Sequence, residues 1–285
     1  MKIAILALAG ALAAQAQQTI TARQVIERIQ QHLGVTLPAN TVDTVKAGNP
    51  DEPVKGIAVT MMATYDVLER AARSGNTLVI THEPTFYNHQ DATADLEKQS
   101  DQVLAAKQKF IADHHLVVWR FHDGWHKRQP DGILLGMTKA LGWQKFQNAN
   151  QAHLFQVPET TLNQLAADVK SKLKINVVRV VGDPNLRLTK IGMMPGAGGS
   201  TRQIQMLERD DVEVLMIGET PEWETVEYVA DAASQHKRKA LLILGHIPSE
   251  QAGMQECTDW LRTFVSEVPV TFVPAKEPFW LAGTR

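Results

Sequence analysis

Short apolar, β-branched runs alternate with segments of helical periodicity along nearly the whole of this chain, and that alternation restricts its fold more than any other feature. Residues 56–62 predict a strand, 65–74 a helix, and, past the Gly75-Asn76 turn, 77–81 a second strand. A strand, helix, strand unit favours a parallel pair, because parallel strands need a crossover between them. The grammar continues as helix 101–113, strand 116–121 and helix 132–141. It resumes as helix 162–173, strands 176–181 and 190–194, helix 202–209, strand 212–217, helix 222–235 and strand 240–244, closed by helix 251–265 and strand 270–273. Ahead of all of these, Val25, Ile26, Ile29 and Leu33 recur at helical spacing over 21–33 and Gly34 ends that helix; the stretch 142–158 has room for one more strand. The expected fold class is α/β, with sheets flanked by helices.

At 285 residues with 44% hydrophobic content, the chain can bury one large core or two of ordinary size. Lys and Arg number 29 against 31 Asp and Glu, so no basic excess draws nucleic acid or anionic lipid to the surface as a whole. Lys2, the apolar run over 3–14 and Ala14-Gln15-Ala16 have the pattern of a signal peptide spanning residues 1–16, cleaved at a small-x-small site. The run is shorter than the roughly 20 residues that cross a bilayer, and no cysteine follows it to carry a lipid. The mature protein is therefore expected to be periplasmic or secreted and free of the membrane. Its single cysteine, Cys257, makes no intrachain disulfide and leaves nitrogen and oxygen as the donors for any metal.

Three of the expected strands end alike. Residues 78–81 run into His82-Glu83-Pro84, 117–121 into His122-Asp123-Gly124-Trp125-His126, and 241–245 into His246-Ile247-Pro248-Ser249-Glu250. Open α/β sheets bind ligands beyond the carboxyl ends of their strands, so three strands would deliver imidazoles and carboxylates to one edge. His122 and His126, like His246 and Glu250, stand four apart and share a face wherever the chain turns helical. Imidazole with carboxylate suits zinc, manganese, iron or nickel. Six donors exceed what one tetrahedral ion needs, and two divalent ions per chain, about 3.5–4 Å apart, would use them all and leave positions for water. His32, His89, His114, His115, His153 and His236 lack this context and read as surface or structural residues. Pro195-Gly196-Ala197-Gly198-Gly199-Ser200 has backbone N–H groups that could cradle an anion, but it lacks a dinucleotide or phosphate-loop fingerprint and reads first as a tight strand-to-helix turn.

These motifs resemble the Nif-three-like dinuclear-metal-centre family over almost all of the mature chain. The resemblance is carried by Thr81-His82-Glu83-Pro84, Phe121-His122-Asp123-Gly124-Trp125-His126, Gly196-Ala197-Gly198-Gly199-Ser200, Gly218-Glu219 and, most specifically, Gly245-His246-Ile247-Pro248-Ser249-Glu250. Glu83 stands where the family has the second His of His-His-Pro, and His126 where it has an Asp, so the inventory of four imidazoles and two carboxylates is unchanged. The resemblance implies two similar α/β halves, here 17–145 and 146–285, which together complete a metal site of His82, Glu83, His122, His126, His246 and Glu250. It also implies a toroidal homohexamer and a hydrolase-like or GTP-cyclohydrolase-like activity on a small-molecule substrate that the sequence does not name. The chemistry proposed with it is attack of metal-activated water on carbon or phosphorus, as in cyclohydrolase, phosphoester or amide hydrolysis, with Glu219 as an outer carboxylate or proton shuttle. The competing reading is a protein that binds metal, or is stabilised by it as an assembly, and turns over nothing.

Overall fold

In the computed structural model, which describes residues 20–283, two five-stranded sheets organise the chain. The expected signal peptide at 1–16 lies outside the described residues. The first sheet runs β1 (Val45–Ala47), β4 (Val117–Arg120), β3 (Leu78–Glu83), β2 (Ile57–Met62), β10 (Val270–Phe272), parallel except for β1. The second runs β5 (Leu154–Thr161), β7 (Arg187–Met194), β8 (Val214–Ile217), β9 (Ala240–Ile243), β6 (Arg179–Val181), with a parallel centre between two antiparallel edges. The strands β3, β4, β8 and β9 are buried at every position. Covered on both faces, such strands need no polar alternation, which is why they read as continuous apolar runs.

Among the described residues ten α-helices flank the sheets: α1 (Ala22–Leu33), α2 (Tyr65–Arg73), α3 (Ala94–Lys98), α4 (Gln102–Asp113), α5 (Asp123–Lys127), α6 (Gly132–Leu141), α7 (Leu162–Leu173), α8 (Ser200–Glu208), α9 (Glu227–Ser234) and α10 (His246–Leu261). Among the described residues no helix is long and apolar enough to cross a membrane. α1 begins on a capping box, in which the Thr21 side chain accepts from Gln24 N–H while the Gln24 side chain accepts from Thr21 N–H.

Four expectations change. The last long helix starts at His246 and not at 251, since Pro248 falls in a first turn whose N–H groups have no helical partner in any case. Val270–Phe272 does not close the third region but returns to the first sheet beside β2. The strand expected at 176–181 shortens to Arg179–Val181, and the helix expected at 222–235 opens with a π-turn over Glu222–Val226. Neither β1 nor α3 was expected.

The contact between α6 and α10 sets the geometry that matters most. A Cβ at Gly136 would stand 2.5 Å from the Cα of Gly253, and one at Gly253 would stand 2.5 Å from the Cα of Ile133. Only glycine lets the two backbones approach so closely. Trp125, wholly buried on α5, donates its indole N–H to the Gly253 carbonyl at 3.1 Å. The segment after β4 is thereby fixed against the helix that follows β9.

Candidate metal centre

His82 and Glu83 are the last two residues of β3, His122 and His126 flank the first turn after β4, and His246 and Glu250 share the first turn of α10. Strands of both sheets therefore feed one point. Buried Asp43 shapes the middle segment, accepting at Oδ1 from the N–H groups of His122 (2.7 Å) and Asp123 (2.8 Å) and at Oδ2 from that of Gly124 (2.8 Å). These are N–H groups that the start of a helix leaves without partners. Desolvation raises the Asp43 pKa even though those three donors oppose the shift.

All six expected donors converge. One donor atom from each of His82, His122 and His126 lies within 4.8 Å of the others, and the same holds for His82, Glu83 and Glu250. Glu83 Oε1 stands 3.6 Å from His122 Nε2 and 3.2 Å from His246 Nε2. Glu250 Oε2 stands 3.6 Å from His82 Nε2 and 3.3 Å from His246 Nε2, while its Oε1 is 4.0 Å from His126 Nε2. Each imidazole turns Nε2 inward, and its Nδ1 meets an outer oxygen. These partners are the Phe121 carbonyl for His82 (3.1 Å), Asp123 for His122 (3.0 Å), Asp131 for His126 (2.9 Å) and Glu219 for His246 (3.4 Å). A ligating histidine is characteristically held this way, its second nitrogen fixing tautomer and ring plane.

The electrostatics ask for a cation. Burial, and then the neighbouring imidazoles, push the His82 pKa well below the usual value, so its ring is neutral with a lone pair to give. For His246 burial opposes the charge, but the carboxylates of Glu219, Glu250 and Glu83 beside its two ring nitrogens outweigh it and raise the pKa to about 12. Burial likewise opposes protonation of His126, and Asp131 together with Glu250 and Glu83 reverses the balance upward. A proton on these rings occupies a place that a metal would take. His82 Nε2, His246 Nε2 and Glu250 Oε2 are buried without hydrogen-bond partners, a state that costs free energy unless an ion satisfies it. The residues fit a divalent ion of the borderline class, held by nitrogen and oxygen. Cys257 is buried away from the site, and burial raises its thiol pKa.

Arg120, with no exposure at all, donates from Nη2 to Glu83 Oε2 at 3.1 Å and from Nε to the His82 carbonyl at 3.0 Å. Nothing in the sequence marked it, since a charged residue within an apolar strand has no spacing signal. The glycine-rich segment is a strand-to-helix turn, as read, and it also presses on the site. Gly196 has φ +68°, and its amide donates to Ser249 Oγ at 2.9 Å, while Ser249 in turn donates to the His246 carbonyl at 2.8 Å. A cavity of about 530 Å³ opens beside the donors, walled by this turn, Arg202, His89 and His153 among others. Spacing in the sequence gives His89 and His153 no role, yet both are exposed and both stand on this wall.

Known proteins share this fold. A "GTP cyclohydrolase 1 type 2 homolog" of Clostridium perfringens is 22% identical over 245 residues, covering 81% of this chain and 86% of that protein. The crystal structure of the Staphylococcus aureus hypothetical protein SA1388 superposes with a TM-score of 0.71 at 16% identity, covering 93% of this chain and all of that one (100%). A Bacillus cereus protein related to NIF3 superposes at 0.72 with 13% identity, covering 93% and 99% of the two chains. The profile of the Duf34/NIF3 (NGG1p interacting factor 3) family matches residues 14–278, and the chain belongs to that family.

Proposed function

We propose that this protein holds two divalent ions per chain and hydrolyses a small-molecule substrate in the adjoining cavity. The observation that carries this reading is the set of four imidazoles with inward Nε2 atoms and outward Nδ1 atoms fixed by separate oxygens, around two carboxylates. Zinc, manganese, iron or nickel bound there would supply Lewis acidity and an activated water.

The chain's own residues divide the remaining work. Glu250 would help hold metal through either carboxylate oxygen, whereas Glu83 has one oxygen held by Arg120 and would contribute through Oε1. Glu219, half exposed and kept below the usual carboxylate range first by its hydrogen bond with His246, is ionised and can take a proton at its free oxygen. The cavity wall combines backbone of the glycine turn with the cationic side chain of Arg202, which would orient a polar substrate. The name of the Clostridium relative makes a cyclohydrolase-like reaction one candidate. Export by cleavage after Ala16 would remove the protein from cytoplasmic nucleotides and favour another phosphoester or amide; assembly as a homohexamer belongs to the same proposal.

The test is a comparison of metal-free, reconstituted and Glu250→Gln protein on nucleotides, phosphoesters and amides. Turnover in the reconstituted protein alone supports the reading. A fully loaded protein that turns over none of these leaves metal binding as its role.

A further inference from the structure

The cavity beside the metal donors is lined by three carboxylates and one guanidinium, those of Glu83, Asp131, Glu250 and Arg202. Each carboxylate already has partners within the chain. Glu83 is held by Arg120, Asp131 by His126 and by the N–H groups of Ile133 and Leu134, and Glu250 faces the Nε2 atoms of His82 and His246. Arg202 differs. It is exposed, and its guanidinium makes no hydrogen bond or ion pair among the described residues, so a molecule entering the cavity can reach it.

Other donors stand beside it on elements of the second sheet. His153 is clamped to β7, its Nδ1 donating to the Met193 carbonyl at 2.8 Å while its own carbonyl accepts from the Met193 N–H at 2.9 Å. The ring is thereby oriented, and Nε2 is left without a partner in the chain. Ala197 and Gly198 add two backbone N–H groups that meet no acceptor among the described residues. Charge narrows the ligand further. With the imidazoles neutral, the lining groups leave two negative charges, which two divalent ions reverse to two positive. A dianion answers that balance, whereas a carboxylate brings one charge and an amide none. The phosphoryl group of a monoester is close to doubly charged near neutral pH and carries three acceptor oxygens, and a guanidinium fork can hold two of them at once.

We propose that this cavity binds a small phosphate monoester, its phosphoryl group on Arg202 and on Nε2 of a protonated His153; the inference rests on the reading of this cavity as the substrate's place. The test titrates zinc-loaded protein calorimetrically, at mildly alkaline pH, with phenylphosphonate, whose C–P bond does not hydrolyse, and with benzenesulfonate, which has the same shape and one charge fewer. Phenylphosphonate should bind with a Kd below about 1 mM and at least about tenfold more tightly than benzenesulfonate. Arg202→Gln should weaken phenylphosphonate at least about tenfold and His153→Leu at least about threefold, each at unchanged metal content. Both side chains are exposed, so neither change removes a buried contact from the fold. No heat at about 10 mM phenylphosphonate overturns the proposal. So do equal affinities for the two ligands, unchanged affinity in either variant, or a loss that only tracks lost metal. Because the readout is binding and not turnover, a protein that holds phenylphosphonate through Arg202 but cleaves no ester keeps this inference and loses the hydrolase reading.

Discussion

Replacing Gly196 by alanine should empty the metal centre without unfolding the chain. Gly196 has φ +68°, and a Cβ there would lie 2.2 Å from Glu250 Oε1 and 2.9 Å from that carboxyl carbon. Ordinary contact needs roughly 3.5 Å, so the carboxylate or the turn must give by about 1 Å. The turn is held by Ser249, and Glu250 is buried among His82, His126 and His246, so the displaced group is a metal ligand. Coordination distances tolerate only about 0.2 Å of error, and affinity for at least one ion should fall by about a hundredfold or more. The left-handed backbone adds about 1 kcal/mol of strain to the metal-free fold. Gly142→Ala is the control, because Gly142 has φ +68° in the left-handed helical region and its added Cβ meets nothing within 4 Å. Competition titration with a chromogenic chelator, beside thermal denaturation of both metal-free variants, reads the two effects separately. Wild-type affinity in Gly196→Ala, or an equal loss in Gly142→Ala, would refute the reasoning.

Three further outcomes follow from other contacts. Asp131→Asn keeps an acceptor for the Ile133 and Leu134 N–H groups but weakens the hold on His126 Nδ1, so helix α6 should persist while metal affinity falls about ten- to a hundredfold by the same titration. Glu83→His removes the carboxylate from wholly buried Arg120 and should destabilise the metal-free protein by about 3 kcal/mol in urea denaturation; an unchanged midpoint would show that Arg120 finds other partners. Lys107 is buried with Nζ donating to the Thr85 carbonyl at 2.6 Å, and burial pulls its pKa from 10.5 to about 8. Because the folded value is the depressed one, this residue contributes stability that is present above about pH 10.5 and lost as pH falls through about 8, a difference of at most about 3 kcal/mol. Stability measured in urea across that range should show this rise in the wild type and lose it in Lys107→Met.

The sequence carried the parallel centre of both sheets, because β3, β4, β8 and β9 are short apolar runs that sheet burial on both faces makes unmistakable. The three motifs were legible for a related reason, each standing at the carboxyl end of such a strand. What escaped depends on contacts between distant segments. The β1 strand is three half-buried residues on an antiparallel edge, with no pattern of its own. The return of Val270–Phe272 to β2 is a pairing across more than half the chain, which periodicity does not encode. Asp43 acts on the site through three hydrogen bonds from some 80 residues upstream, Asp131 through one to His126 across a turn, and His89 and His153 reach it from loops. The departure at Glu83 also gains a physical reason only in three dimensions, where Arg120 on the neighbouring strand supplies the charge that a carboxylate answers.

Elemental analysis tests the central claim most directly. The mature chain is stripped with chelator, reloaded with zinc or manganese, desalted and measured against protein concentration, with His246→Ala in parallel. Six converging donors predict a plateau close to two ions per chain in the wild type and a lower one in the variant. A wild-type plateau at one ion, or no retained ion at all, would contradict the dinuclear centre.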